Sequence, residues 1–373
     1  MKKISLITIF DVANFGTFLQ ALATAVTIQS FGAKVEIVHY ERPFKDTTLL
    51  RRNIFIRGIY YFYFWLRGFD GCLFLYRCRR FVAKHTSITR AYFSFEELKN
   101  NPPKADVYLT GSDQVWNTSH NQGLDEAFYL SYAPKGAKKV SYAASIGQNA
   151  IPDEYKNRTK KLLSQYDAIS VRENSAVQIL SELGINATQV LDPTLLLDKN
   201  QWLKYANKRL VKDDYLLVYS VEPKEFDNKV SEIAKHIANE KNLKIVSVSN
   251  YGKEKHILGC DIYYDFALPQ VFLSLMAHAS FVVASSFHGT AFAINFNRPF
   301  LTVTPSAFSS RIASILALTG LNDRRINDVE DINKDIIDKG IDYEKVNRIL
   351  EIERKKSLAF ITSKIIDPCL NEF

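Results

Sequence analysis

Residues 281–299 read FVVASSFHGTAFAINFNRP. The apolar run Phe281-Val282-Val283-Ala284 has the character of a buried strand in a parallel sheet. Ser285, Ser286, Phe287, His288 and Gly289 follow as a tight polar turn. Thr290 to Phe296 then reads as a helix, closed by Asn297 and Pro299. A strand, a turn and a helix N-terminus aim backbone N–H groups and the positive end of a helix dipole at one spot. That spot suits a phosphate or a carboxylate. His288 is the only ionisable side chain in the turn, and its charge changes near neutral pH. The same turn also reads as a plain helix cap, with His288 hydrogen-bonded to a carbonyl; such turns are common in open α/β sheets.

The surrounding chain is long enough for two cores: 373 residues, 47% hydrophobic and 24% charged. It carries no disordered-type tract and no internal repeat. The net charge of +8 suits an acidic partner without choosing among nucleic acid, an anionic membrane and a phosphorylated substrate. Cys72, Cys78, Cys260 and Cys369 form no CxxC pair, and no histidine stands at metal-ligand spacing from them. A reducing compartment is therefore expected, with no disulfide framework and no metal. Ile4 to Phe10 is read as a first strand rather than a leader, because the apolar run is short and Asp11 interrupts it. No run approaches the ~20 apolar residues of a membrane span.

From the N-terminus, strand Ile4 to Phe10, a helix from Thr17 to Phe31 and strand Val35 to Tyr40 make a βαβ opening. The loop Asn14-Phe15-Gly16 lies at the carboxyl end of strand one, where open α/β sheets place ligands. It is not GxGxxG, so a dinucleotide is not indicated; ordinary turn chemistry accounts for Asn14 and Gly16 equally well. A strand Asp106 to Thr110 ends in Gly111-Ser112-Asp113-Gln114, where Asp113 serves as a general base, a hydroxyl binder or an Asx-type cap. Lys139 to Gly147 reads as the next strand and turn. Tyr166 to Val171 is followed by Arg172-Glu173. An arginine at a strand end is a natural clamp for carboxylate or phosphate, or else an ion-pair partner of Glu173 or another neighbour.

After Asp192-Pro193 and Asp198 the pattern restarts: strand Tyr215 to Ser220, helix Asn228 to Glu240, strand Lys244 to Val248. The expected division is 1–200 and 201–345, with a helical tail over 346–373. Phe272 to Ala277 leads as a helix into the central stretch, and Phe300 to Val303 is one more strand. Ser309-Ser310-Arg311-Ile312 opens a helix whose Arg311 adds positive charge near the same turn.

Residues 51–84 stand apart. Phe55, Tyr60 to Trp65, Phe69, Phe74, Tyr76 and Phe81 alternate with Arg51, Arg52, Arg57, Arg67, Arg77, Arg79, Arg80 and Lys84. Such a mixture suits a segment lying in a membrane interface. It equally suits an aromatic helical pair packed on the protein with arginines snorkelling outward. Single-stranded nucleic acid ranks third, since no RNP-like pattern accompanies the stretch, and no nucleic-acid partner is expected.

Several motifs in order resemble the polysaccharide pyruvyl transferase family: Asn14-Phe15-Gly16 with Leu19-Gln20-Ala21, Gly111 to Trp116, Ser141 to Ser145, Ile169 to Glu173, Leu191 to Thr194, and Ser285 to Thr290. They run from about residue 10 to about residue 325; the 51–84 stretch and the final helix lie outside the pattern. The resemblance implies an α/β fold of two Rossmann-like domains facing a cleft, similar to the GT-B glycosyltransferases. It implies phosphoenolpyruvate as donor substrate, no cofactor, and a sugar of a cell-surface glycan, capsule or exopolysaccharide as acceptor. Arg172 and His288 are the residues it carries over as donor-binding and catalytic.

The chemistry of that reaction agrees with the residues. Phosphoenolpyruvate holds a carboxylate and a phosphate close together, which calls for cations and N–H donors: Arg172, the helix start at 289–291, Arg311, and the polar groups of Ser285, Ser286 and Thr290. Ketal formation needs a proton on the methylene carbon, which His288 is placed to give, since an anionic donor favours the imidazolium. Asp113 takes a sugar hydroxyl proton or orients the sugar. Asn14, Gly16, Gln20 and Ser112 complete the expected binding set, and Asp192 is read as structural. The alternative is a GT-B glycosyltransferase using a nucleotide sugar; a non-catalytic assembly subunit on the same fold is the other class. The expected location is the cytoplasm, with 51–84 touching the inner membrane face beside an acceptor that is lipid-linked, a nucleotide sugar or polymer.

Overall fold

The computed structural model describes residues 1–42, 71, 73–253, 256–304, 310–332 and 334–366. The chain divides into two compact units, Met1–Asp192 with Leu358–Phe373, and Pro193–Ser357. The break falls between Asp192 and Pro193 rather than at 200. The C-terminal segment is no separate tail, because its residues to Ser357 belong to the second unit and those from Leu358 to the first.

In the first unit, β1 (Lys3–Ile7), α1 (Phe15–Gln29) and β2 (Lys34–Tyr40) form the expected βαβ opening. A helix, α2, spans 73–83, and β3 (Ser87–Tyr92), α3 (Phe95–Asn100), β4 (Val107–Thr110) and β5 (Lys138–Ser141) follow. The five strands are parallel in the order β3-β2-β1-β4-β5, with Leu6 opposite Ile37 on one side and Leu109 on the other. After α4 (Asp153–Leu163), the short strands β6 (Ser170–Val171) and β7 (Thr188–Gln189) flank α5 (Asn174–Glu182). A bridge from Ala144 to Val171 joins β6 to the chain beyond β5. Helix α1 is buried nearly all round, as expected of a helix packed inside a domain.

Strand one was expected to reach Phe10 but ends at Ile7. Beyond it side chains replace the backbone ladder: Thr8 Oγ1 donates to Ser112 O at 2.6 Å, and Gln20 Nε2 donates to Thr8 Oγ1 at 2.9 Å.

Of the aromatic and basic stretch, residues 51–70 and 72 lie outside the described residues. In α2, Phe74, Cys78, Phe81 and Val82 are buried, while Tyr76, Arg77 and Arg80, and Lys84 just after it, are exposed. Arg79 reaches Glu41 at 2.7 Å. This portion packs on the protein with Arg79 turned in to Glu41 and Arg77, Arg80 and Lys84 outward.

The second unit opens with α6 (Lys199–Leu203), then β8 (Tyr215–Tyr219), α7 (Lys224–Lys241), β9 (Lys244–Val248) and β10 (Ile262–Tyr264). It continues through α8 (Pro269–His278), β11 (Phe281–Ala284), α9 (Phe287–Asn295), β12 (Phe300–Val303), α10 (Ser310–Thr319), β13 (Arg325–Ile326), α11 (Lys334–Asp338) and α12 (Tyr343–Phe360). Six parallel strands lie in the order β10-β9-β8-β11-β12-β13, with Val218 opposite Val283. Every residue of β8, β11 and β12 is buried, which is why these strands read as continuous apolar runs.

Both sheets therefore have the doubly wound strand order. In each, the chain leaves the first strand toward one edge and returns beside it to build the other. The crevice lies at β1/β4 in the first unit and β8/β11 in the second, and ligands of such sheets bind at the carboxyl ends of those strands. Cys78 and Cys260 are free thiols. No helix among the described residues is long and apolar enough to cross a membrane.

Candidate functional site

At the crevice of the first unit, the residues singled out by sequence converge. Asn14 caps α1, its Oδ1 accepting from Gly16 N at 2.8 Å. Gln20, wholly buried, donates to Thr8 Oγ1 and to Thr17 O; it braces the loop rather than facing solvent. Gly111 sits where a Cβ would come within 2.8 Å of Leu6 Cδ1 and 3.0 Å of Thr8 Cβ, so only glycine lets β4 end this close to β1.

Asp113 follows with φ +76, a left-handed conformation that aspartate tolerates better than most side chains. Its carboxylate is tied on both oxygens. Thr17 Oγ1 donates to Oδ2 at 3.1 Å, while Gln114 N at 2.9 Å and Arg172 Nη2 at 3.4 Å donate to Oδ1.

Arg172 itself is inside. Its side chain has 0% exposure, and it meets Asp192 at 2.8 Å, Asp113 at 3.4 Å and Glu173 at 3.7 Å. Burial acts to lower its pKa, but Asp192, then Asp113 and Glu173, outweigh it and hold the guanidinium above its ordinary value. Glu173 Oε1 in turn accepts from Ser145 Oγ, Ile146 N and Gly147 N. Ser112 Oγ donates to Asp192 Oδ2 at 2.9 Å. The arginine expected to clamp a ligand is thus placed among carboxylates, and Asp192 is the nearest of them.

A second charged group borders this end of the sheet. Arg42, just past β2, grips Asp11 with Nε and Nη2, each at 2.9 Å, and donates to Asn121 Oδ1 at 2.8 Å. Tyr40 donates to Asp125 Oδ2 at 3.1 Å. Burial pushes the Asp125 carboxyl up, against the Ala127 N–H and the Tyr40 hydroxyl that hold it down.

In the second unit the helix begins earlier than expected. Ser286 is the N-cap of α9, its Oγ accepting from Gly289 N at 2.9 Å, so Phe287 and His288 form the first turn instead of a loop. The reason is local: a serine three residues before a glycine gives the chain a side-chain partner at once. The N–H donors expected at 289–291 accordingly lie inside the helix, Thr290 N bonding to Ser286 O at 3.0 Å.

His288 is 6% exposed, with Phe287 edge-on to its ring at 5.2 Å. It stays at the carboxyl end of β11, where the helix dipole favours negative charge. Gly289 has no room for a side chain: a Cβ would meet Ala284 Cβ at 2.8 Å, Ser286 Oγ at 3.0 Å and Tyr219 Cδ1 at 3.0 Å.

The neighbouring hydroxyls bind protein. Ser285 Oγ donates to Ser220 Oγ at 2.9 Å, and Thr290 Oγ1 pairs with Thr302 Oγ1 at 2.9 Å. Arg311, in the first turn of α10, acts on Glu222 in the loop after β8. Burial raises the Glu222 carboxyl and the Arg311 charge holds it down. Among the described residues, no group of three His, Cys, Asp or Glu is arranged to hold a metal ion.

Sequence reading thus located Ser112, Asp113 and Arg172 on one crevice and Ser285 to Thr290 with Arg311 on the other. It missed Asp11, Thr17 and Arg42 in the first unit and Glu222 in the second. Asp11, Arg42 and Glu222 stand in loops after strands, which is the signal available, and Thr17 lies in the first turn of α1; their partners are not visible in the sequence.

A family model described as polysaccharide pyruvyl transferase matches residues 14–306. Comparison with curated proteins returns no match. Solved structures share the fold at low identity. MnaA of S. aureus, solved with UDP, has a TM-score of 0.56 at 12% identity, covering 97% of this chain and 96% of its own. UDP-GlcNAc 2-epimerase of Neisseria meningitidis, bound to UDP-GlcNAc, has 0.52 at 10%, covering 98% and 94%. UGT89C1 of Arabidopsis thaliana, complexed with UDP-L-rhamnose, has 0.52 at 10%, covering 98% and 99%. These likenesses agree with two Rossmann-like units of GT-B type.

Proposed function

The chain belongs to the polysaccharide pyruvyl transferase family, and from that premise we propose that it moves pyruvate from phosphoenolpyruvate to a sugar of a cell-surface glycan or its precursor. The product is a pyruvate ketal, and phosphate is released. The observation that carries this reading is the position of His288, in the first turn of α9 at the carboxyl end of β11. A doubly negative donor suits a helix start beside an imidazole.

The bonds balance as follows. The imidazolium gives its proton to the methylene carbon, and the double bond's electrons form that C–H bond. A sugar hydroxyl adds to C2. The C2–O bond to phosphate breaks, and a second hydroxyl of the same sugar closes the ring at C2. Of the two hydroxyl protons, one is taken by the base and released to water, from which the imidazole is reprotonated, and the other leaves with phosphate. Arg311 contributes positive charge on this side of the second unit, near Glu222.

In the first unit, Asp113 is the proposed base. Arg172 enters as a positioning residue, since its buried fork holds Asp113 and Asp192 together. Membrane attachment through 51–84 remains a proposal from composition, tested by flotation with anionic liposomes; equal recovery with and without lipid counts against it.

The test is the purified full chain given phosphoenolpyruvate and saccharide acceptors, with phosphate release and the ketal methyl signal followed together. His288→Gln is expected to lower the rate by about 10²–10⁴-fold. Release of nucleotide from a nucleotide sugar, with no ketal, would move the chain to the glycosyltransferase reading.

A further inference from the structure

Beside the His288 helix, the second unit has a hollow that none of the catalytic assignments uses. It opens at the carboxyl ends of β8 and β9, among Ser220, Glu222, Asp227, Ser247, Ser249 and Tyr251. Its floor is polar. Asp227, on the first turn of α7, is 6% exposed, and Ser247 is 3% exposed. Two of its lining side chains are apolar and open to solvent: Val221 is 39% and Tyr251 43% exposed.

Large apolar side chains this exposed are few among the described residues, and two of them, Val221 and Tyr251, line this one hollow. Carboxylates and hydroxyls below, with an aromatic face above, match a ring that carries hydroxyls on its edge and C–H groups on its face. That is a saccharide. The two carboxylates disfavour a phosphate in the hollow and accept hydrogen bonds from hydroxyls.

The hollow is also tied to the proposed donor position. Its wall residue Ser220 accepts from Ser285 Oγ. Ser285 directly precedes Ser286, the cap of the helix that carries His288.

We infer that this hollow is the acceptor subsite: it binds a neutral sugar ring, with Asp227 and Glu222 accepting from ring hydroxyls and Tyr251 stacking on its C–H face. This deepens the pyruvyl-transfer reading and rests on it for the word acceptor, but not for the binding itself. The hollow selects a sugar ring without its carrier, so recognition falls on the glycosyl unit rather than on a nucleotide.

The experiment is saturation-transfer NMR on the full chain, without phosphoenolpyruvate. The probes are methyl glycosides of hexoses and N-acetylhexosamines, with uridine diphosphate as the nucleotide arm. At least one glycoside is expected to bind. Its Kd is expected to rise about tenfold or more in Asp227→Asn, the scale of one charged hydrogen bond, and likewise in Tyr251→Ala. The second change is at an exposed side chain, so it keeps the test valid where the first harms folding.

Binding of uridine diphosphate but of no glycoside would overturn the inference, as would glycoside binding unaltered by Tyr251→Ala. Ketal formation that proceeds while the hollow takes up no glycoside would sink the subsite and leave the donor reading standing. Glycoside binding lost in both variants, with no phosphate released from phosphoenolpyruvate by the unaltered chain, would sink the donor reading and leave the sugar site.

Discussion

Arg172 donates from Nη1 to Asp192 Oδ2 at 2.8 Å, and neither side chain exposes more than 1% of itself. The pair joins the strand end after β6 to Asp192, the residue after which the chain passes into the second unit. Ser112 and Asp113, from the loop after β4, complete the group. A charge buried this deeply keeps its position because every route to water is blocked and every nearby carboxylate faces it.

Removing the guanidinium leaves those carboxylates buried without a counter-charge. Arg172→Ala is expected to destabilise the first unit by about 3–5 kcal/mol. Arg172→Lys recovers only part of this, since an ammonium lacks the planar fork that spans Asp192 and Asp113. Urea unfolding monitored at Trp116 is the measurement; a midpoint unchanged in Arg172→Ala would contradict the assignment.

At Asp113 charge and backbone are separable. Asparagine tolerates a left-handed φ at least as well as aspartate, so Asp113→Asn is expected to unfold close to the unaltered chain. If the carboxylate is the base, ketal formation falls by about 10²-fold or more. Asp113→Val tests the backbone, because a β-branched residue at φ +76 is strained and should destabilise where Asn does not. Equal stability of the two variants would argue against strain at this position.

Asp125 gives a pH signature. Burial raises its carboxyl above the ordinary 3.8, so the folded chain takes up this proton at higher pH than the unfolded chain. The contribution to stability is full below about 3.8 and is lost as pH rises through the raised value. Asp125→Asn removes the titration. The stability of the unaltered chain should therefore decline relative to that variant as pH rises through this window. Parallel curves in pH-resolved urea melts would refute it.

The two ends of the Ser286–Gly289 cap have different expected costs. Ser286→Ala removes one capping bond and should lose about 1 kcal/mol. Gly289→Ala drives a methyl against Ala284, Ser286 and Tyr219 and should cost about 1–3 kcal/mol, while displacing the turn that holds His288. Thermal melts rank the two; Gly289→Ala no worse than Ser286→Ala would mean that the close approach is relaxed in solution.

Much of the fold was legible because buried parallel strands are written as uninterrupted apolar runs. Lys244–Val248, Phe281–Ala284 and Phe300–Val303 fall where the sequence placed them. Helix starts were less legible: a serine cap moved the beginning of α9 from Thr290 to Phe287. Strand ends were obscured in the same way, since Thr8 to Phe10 looks like a strand until Ser112 and Gln20 bond to it. The candidate residues were found as types in loops after strands, but whether each faces a ligand or another side chain was not.

The sequence by itself determined the alternation of strands and helices, the two parallel sheets and the family, because these follow from local apolar periodicity and from motifs in order along the chain. Only the tertiary structure decided that Arg172 faces Asp192 and that Ser285 faces Ser220. Those partners lie 20 and 65 positions apart, and strand order, which no short stretch encodes, sets which loops share a sheet end and so which charge and hydroxyl meet.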